Sequence, residues 1–378
     1  MFNKMRILHC PTITGGNAQN ICKGERILGL KSWSVTFQQN YLGYPCDEVL
    51  WDRDTPLWKQ QIRAWKLLFF AFKNFDVIHY NSGTPILPWD IPTSLNGIHP
   101  LQKKILIIYT ILCKVFEQNL LKKKVIAVTF QGDDARQGDF CIRNFSFSIA
   151  HDVSSGYYSE ISDERKKNRI KMFDQYADLI YALNPDLLYV LPLRAVFMAY
   201  AIDTKSYEHV KKKDISLPLV IHAPSHRGAK GTKYILAAVE QLRAEGVLFD
   251  FLLVENLSNS EAIKVYEKSD LVIDQLLAGW YGAFAVESMA LGKPVICYLR
   301  ENDLHLIPTK MRDELPIINA NPDSIYAVLR DWLKKWHSNY ETKEILGRRF
   351  AARWHDPVQI AGKLSEDYRR IALKKACR

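Results

Sequence analysis

The sequence has no Cys-x-x-Cys pair, no histidine cluster at zinc spacing and no apolar run of the ~20 residues a membrane-spanning helix needs. The first two absences argue against a zinc module. The seven cysteines, Cys10, Cys22, Cys46, Cys113, Cys141, Cys297 and Cys377, are odd in number and scattered, which argues against a disulfide framework and for a reducing, cytoplasmic setting. The longest apolar run, Ile105 to Cys113, is too short to span a bilayer, and the apolar stretch of MFNKMRILHC is too short for a signal-peptide core. Nothing is therefore expected to cross a membrane. Internal repeats and low-complexity segments are also missing. What is present is a chain of 378 residues, 48% apolar and 24% charged, which excludes disorder and fibrous repeats and suits two globular domains. Its 51 Lys and Arg against 41 Asp and Glu leave a net charge of +10, which invites a polyanionic partner.

Short β-rich runs alternate with longer helical patterns. Met5–His9, Ser34–Phe37, Asp76–Tyr80, Val125–Phe130, Asp178–Leu183 and Ala195–Tyr200 read as strands of a first half. Leu217–Ala223, Leu248–Val254, Asp270–Ile273 and Pro294–Tyr298 read as strands of a second. Most are continuous apolar runs rather than alternating ones, as in parallel strands covered on both faces. Between the first two of the second half, Ile235, Leu236, Val239 and Leu242 share one face of a helix over Thr232–Glu245 that Gly246 stops. The expected architecture is α/β, with two doubly wound halves joined at the charged stretch Ala201–Ser216 around Lys211, Lys212 and Lys213. Ser324–Lys374 reads as helical with a break at Asp356-Pro357. Such halves bind ligands at the carboxyl ends of their strands, so the cleft between them is the expected site.

Three strand-to-helix turns carry candidate chemistry. Cys10-Pro-Thr-Ile-Thr-Gly-Gly-Asn17 offers Gly15 and Gly16 for close backbone approach to an anion, or simply a tight turn. Ala223-Pro-Ser-His-Arg-Gly-Ala-Lys-Gly231 brings Arg227 and Lys230 to a helix start, which suits a diphosphate; its spacing is not that of a Walker motif. The segment from Gly279 to Ile296 places Glu287 in an otherwise apolar helix running from Gly282 to Gly292. An unpaired carboxylate there is costly, so either a basic side chain pairs with it or it accepts hydrogen bonds, for example from a sugar diol. Asp270 and Asp274 flank the preceding strand.

These residues resemble the "group 1" glycosyltransferases with the GT-B fold. The resemblance lies in the Ala-Pro-Ser-x-Arg-x-x-Lys-Gly turn, the Asp270-Leu-Val-Ile strand and the run Glu287-Ser-Met-Ala-Leu-Gly-Lys-Pro-Val, with Ala177-Asp178-Leu-Ile, Asn184-Pro-Asp186 and Thr129-Phe130-Gln131-Gly132-Asp133-Asp134 in the first half. It implies two Rossmann-like doubly wound domains facing across a cleft. Residues 1–203 would form the acceptor side and 204–355 the nucleotide-sugar side, with a C-terminal helix at 356–378 crossing back. It implies that Glu287 binds the donor's ribose hydroxyls, and that Lys230 and Arg227 meet the diphosphate, since the usual arginine position is Ser225. The donor would further be lined by Gly15, Gly16, His226, Gly231, Gly282, Ala283 and Phe284. The family's sugar-contacting glutamate falls on Gly279, a departure for which Tyr281, Asp274 or a backbone amide would compensate. Gln131 stands where a histidine is common, with Asp133 or Asp134 taking part in acceptor contacts. No metal or other cofactor is implied: no Asp-x-Asp motif serves the diphosphate, and preorganised cations take its place.

The activity implied is transfer of a hexose-type sugar from a nucleotide diphosphate to a glycan or lipid-linked glycan in cell-envelope polysaccharide synthesis, with retention of configuration. A non-catalytic nucleotide-sugar-binding protein and a nucleotide-sugar epimerase of the same fold are the alternatives. Two basic stretches bear on partners. Leu57–Phe75 carries Lys59, Arg63, Lys66 and Lys73 among Trp58, Trp65, Phe69, Phe70 and Phe72 without an acid. Leu101–Lys124 interleaves isoleucines and leucines with Lys103, Lys104, Lys114 and Lys122–Lys124. Both suit helices lying on an anionic membrane surface, at the inner face of the membrane, or core helices with snorkelling lysines. Nucleic acid is not expected as a partner, because no recognised binding module is present.

Overall fold

The computed structural model describes residues 5–11, 15–40, 42–89, 99–207 and 217–377. The expected lysine-rich linker at 211–213 and Thr12–Thr14 of the first glycine turn lie outside the described residues. The first sheet holds β1 Arg6–His9, β2 Lys31–Thr36, β3 Glu48–Val49, β4 Val77–Asn81, β5 Val125–Phe130, β6 Leu179–Ala182 and β7 Val196–Phe197, all parallel, in the order β3-β2-β1-β4-β5-β6-β7. The second holds β8 Leu219–His222, β9 Asp250–Leu253, β10 Leu271–Ile273, β11 Val295–Cys297 and β12 Ile318–Asn319, also parallel, in the order β12-β11-β10-β8-β9. The helices are α1 Asn17–Ile27, α2 Leu57–Asn74, α3 Pro100–Leu121, α4 Gly138–Asn144, α5 Ile149–Asp152 and α6 Glu160–Tyr176 in the first half. The second has α7 Arg227–Lys230, α8 Thr232–Ala244, α9 Asn259–Tyr266, α10 Ala283–Ala290 and α11 Thr309–Asp313, followed by α12 Ile325–Trp354 and α13 Pro357–Ala376.

β4 and β5 are buried at every position, because helices cover both faces of the sheet. On one face Ile21 of α1 and Ile360, Leu364 and Tyr368 of α13 pack on Ile7, Val77 and Ala127. On the other Leu68 of α2, Cys113 of α3 and Phe173 of α6 pack on Leu8, Ile78 and Val128. The second sheet is sandwiched likewise, by Ile235, Val239 and Leu242 of α8 on one side and Val286 and Met289 of α10 on the other. Most strands are shorter than the apolar runs that encode them, and β3 and β12 are two-residue edge strands, below the length at which a periodicity can be read.

The chain crosses between halves after β7 and returns after α12, and the two crossings meet. Ile202 N donates to His355 O at 2.9 Å, and the His355 ring hydrogen-bonds Tyr200 O at 2.8 Å. From α1, Asn17 and Asn20 hold the backbone of Ala201 at 2.8 and 2.9 Å. Asp356 then caps α13 by accepting from Val358 N at 2.7 Å, and Pro357 starts it, so the helix turns back across the first sheet. Tyr368 docks it by a 2.6 Å hydrogen bond to buried His79.

Candidate functional site

The carboxyl ends of both sheets open into one cleft of about 620 Å³. Gly15 and Gly16 enter it after β1, Ser82 and Thr84 after β4, and Gln131–Asp134 after β5. From the other side come Ala223–His226 after β8, Val254–Asn256 after β9 and Gln275 after β10. This is where parallel sheets place ligands, because loops and helix N-termini converge there.

Glu287 lies on α10 at the cleft wall and is 3% exposed. Among the described residues no cation pairs with it. Its Oε1 accepts from Asn259 Nδ2 at 3.0 Å and from the Tyr44 hydroxyl at 3.2 Å, so of the two expected arrangements the structure adopts the hydrogen-bonded one. Burial pushes this carboxyl up to about 7, against the pull of those donors. A group that titrates near neutrality and already accepts from neutral donors is suited to hydroxyls of a bound ligand.

Lys230 Nζ reaches Asp274 Oδ1 at 3.1 Å and Gln275 Oε1 at 2.8 Å. The same Asp274 carboxylate accepts from Gly282 N at 2.7 Å, so one side chain fixes both the cation and the start of α10. A Cβ on Gly282 would stand 3.4 Å from Nζ; glycine lets the ammonium sit against the helix terminus. With no side chain capping α10, its first N–H groups, near Ala283 and Phe284, add a partial positive charge beside Lys230. Together they form a site for an anion.

On the opposite wall burial favours the neutral Asp133 carboxyl. Arg136 and the hydroxyls of Tyr157 and Tyr158 outweigh that and hold it below the ordinary carboxylate range. Arg136 Nη1 donates to it at 3.0 Å, Tyr157 at 2.6 Å, and Arg136 Nε grips Asp186 at 2.7 Å. Asp134 instead turns back on its own loop, accepting from Gly132 N at 2.7 Å and Gln131 N at 3.0 Å. It shapes the turn that presents Gln131.

The structure brings Gly15, Gly16, Gln131, Asp133, Asp134, Ser225, His226, Lys230, Gly282, Ala283, Phe284 and Glu287 to the cleft. It corrects five expectations. Arg227 does not itself line the cleft; its guanidinium is taken up in an exposed ion pair with Glu255, a residue of the cleft wall, 2.8 Å through Nε. Gly231 is a left-handed joint, φ +73°, between α7 and α8, packed on Leu276 and Leu277. Tyr281 is buried in the core with its hydroxyl 3.0 Å from His355 Nε2. Asp274 lies behind Lys230 as its positioning residue. Gly279 is absent from the cleft lining; it has φ +77°, and a Cβ there would come within 2.6 Å of the Arg300 guanidinium, so a side chain would strain the backbone and push that guanidinium aside. His226 lines the cleft, but its Nδ1 is spent accepting from Ala229 N at 3.1 Å.

Tyr44, Asn259, Arg136 and Gln275 had no signal in the sequence. Tyr44 lies 243 positions from the carboxylate it touches, and its ring covers Gly16, 2.6 Å from a Cβ placed there, so a larger residue at that position would displace it. Among the described residues no group of three or more His, Cys, Asp or Glu side chains is arranged to hold a metal ion.

No family model matches the sequence, and no curated protein matches it. Solved structures do. A sucrose-phosphate synthase from Thermosynechococcus elongatus superposes with a TM-score of 0.60 at 13% identity, covering 97% of this chain and 98% of its own. A glycosyltransferase from Rickettsia africae gives 0.58 at 13% identity, covering 98% and 99%. HepE of Anabaena, solved in complex with UDP, gives 0.56 at 12% identity, covering 96% and 99%. At such identities the likeness is one of fold over the whole length.

Proposed function

We propose, from the premise that this chain has the GT-B fold, that it transfers a sugar from a nucleotide diphosphate donor to an acceptor hydroxyl. The observation that carries the reading is the pairing, across one helix, of a hydroxyl-accepting carboxylate with an anion site: Glu287 within α10, and Lys230 at its start. A nucleotide presents those two chemistries, ribose diol and diphosphate, in one molecule. That solved structures of this fold hold UDP, UDP-glucose or ADP supports the same reading.

In the reaction the bond between the anomeric carbon and the β-phosphate oxygen breaks, and the departing diphosphate takes the electron pair. The acceptor oxygen forms the new bond and its proton leaves with the diphosphate or to solvent. Lys230 and the α10 N–H groups stabilise the charge that grows on the leaving group, and Asp274 keeps them in place before it arrives. That fixed cation and the helix N-terminus beside it are our reason for assigning metal-independent chemistry. Gln131 and Asp133, on the facing wall, are assigned to the acceptor, which we take to be a glycan or lipid-linked glycan of cell-envelope polysaccharide synthesis. Retention of configuration follows from the family resemblance alone.

A thermal-shift screen against UDP, GDP, ADP and CMP, with and without EDTA, tests the donor site. A ligand at a hundred times its Kd adds about 2.7 kcal/mol. One nucleoside diphosphate should shift the melting temperature, insensitive to EDTA, and the shift should be lost in Lys230→Ala and Glu287→Ala. The filled space at Gly279 favours one second reading, a nucleotide-sugar-binding protein without transfer. Slow donor hydrolysis without an acceptor excludes it, and an isomeric sugar nucleotide as product would instead identify an epimerase.

A further inference from the structure

We infer that the outer face of α2 and α3 docks on an anionic lipid bilayer. Both helices bury one stripe against the first sheet, Leu67, Leu68 and Ala71 of α2, and Thr110, Cys113 and Leu121 of α3. The opposite stripe of α3 is apolar as well. Leu101, Ile105, Ile108, Leu112 and Val115, spaced by four, three, four and three residues, are 49–62% exposed. On α2 Trp58 and Phe69 share the outward side, and Phe116 of α3 closes the seam between the helices, 5.1 Å from the Trp65 ring. Six large apolar side chains of α2 and seven of α3 are at least 40% exposed, and the contacts of Trp65 and Phe69 with Phe116 join the two helices, an exposed apolar area of a kind monomers seldom leave to water.

Charge decides among the occupants. α2 carries exposed Lys59, Arg63, Lys66 and Lys73 and has no acid, while exposed Lys103 and Lys104 stand at the start of α3 and Lys122 and Lys123 just past its end. The lone acid of α3, Glu117, points inward, accepting from the Tyr80 hydroxyl at 2.6 Å and from Leu87 N at 2.9 Å. A second copy would bring the same basic face against itself. Nucleic acid would find the branched aliphatics of α3 where it needs flat rings. An anionic bilayer takes both parts, apolar side chains below the headgroups and lysines among them. α2 and α3 each begin at the carboxyl end of the first sheet, the end at which the cleft opens. Docked in this way, the enzyme would meet an acceptor carried on a lipid. That consequence rests on the proposed transfer; the docking does not.

The test is co-sedimentation of the full chain with vesicles of phosphatidylglycerol and phosphatidylcholine, or of phosphatidylcholine alone, without any nucleotide. Partition onto the anionic vesicles should exceed that onto neutral ones at least tenfold and fall with salt. Ile105→Glu/Leu112→Glu and, separately, Lys103→Glu/Lys104→Glu should each lower it on the order of tenfold or more while leaving the circular dichroism and any nucleotide-induced thermal shift unchanged. Equal partition onto both vesicles, or partition indifferent to both variants, overturns the inference. So does a concentration-dependent dimer that Ile105→Glu/Leu112→Glu dissolves, or an oligonucleotide that binds in preference to lipid. Because no nucleotide is present, failure of the donor site leaves this result standing, and the reverse also holds.

Discussion

Glu287 is a buried carboxylate stabilised by neutral donors rather than by a cation, and it titrates at about 7 rather than its ordinary 4.5. Ligand hydroxyls donating to it favour the ionised form, so at pH below 7 binding must first remove a proton. The affinity for a nucleoside diphosphate should therefore rise from pH 6 to 8, and titration calorimetry should find that part of the rise lost in Glu287→Gln, while any slope owed to the nucleotide's own phosphate remains. Gly279 makes the opposite point, a position where a side chain would be costly. Gly279→Ala should cost on the order of 3 kcal/mol in urea unfolding, from a strained left-handed backbone and displacement of the Arg300 guanidinium. That displacement would disturb its 2.7 Å ion pair with Asp303 and its position over the Phe145 ring, 3.6 Å from the centroid. By the same reasoning Gly279→Glu should weaken the protein without tightening donor binding.

At the scale of elements, two buried polar contacts tie helices to segments far away in sequence. Glu117 of α3 gathers the Tyr80 hydroxyl, Ile86 N, Leu87 N and the Trp89 indole within 2.6–3.1 Å, and so fixes the chain after β4. Glu117→Gln would turn an amide toward N–H donors, and a loss of about 2 kcal/mol is expected from denaturant melts although the substitution removes a costly charge. Tyr368 of α13 hydrogen-bonds His79, which also bonds Thr129 at 2.7 Å. Tyr368→Phe should cost about 1–3 kcal/mol and raise amide exchange along α13 before the rest of the first domain. The existence of these helices was plain from their apolar spacing. Their partners were not, since a lone Glu in an apolar helix reads the same whether it turns inward, as Glu117 does, or toward a cleft, as Glu287 does.

For the molecule as a whole, buried groups titrate with opposite signs. Burial lowers His222 and His355 to about 4, and His79 lies well below its ordinary value for the same reason. The unfolded chain protonates these rings below about 6.5, so their stabilisation is present above that pH and is lost as pH falls toward 4. Burial raises Glu117 and Glu287 to about 7, so their contribution is present below 4.5 and is lost as pH rises through 7. The two effects overlap and oppose each other. Relative to the parent protein, Glu287→Gln should gain about 3 kcal/mol between pH 4.5 and 7, read from urea midpoints across that range. His355 also sits where the two chain crossings meet, bonded to Tyr200 and Tyr281, so its protonation would act on the junction between the halves.

Local chemistry determined the elements. Continuous apolar runs fixed parallel strands, glycines and Asp356-Pro357 ended helices, and the Lys230 turn and Glu287 helix were legible because each is a short contiguous motif beside a strand. The tertiary structure alone decided which groups face one another. Tyr44 and Asn259 reach Glu287, and Asp274 faces Lys230, through the meeting of loops from different strands, which no local spacing encodes. It likewise paired Arg227 with Glu255 and turned Tyr281 into the core, although both lie within recognisable motifs. The physical reason is reach: propensity and periodicity act over a few residues, whereas burial, pairing and charge in the cleft depend on contacts across hundreds.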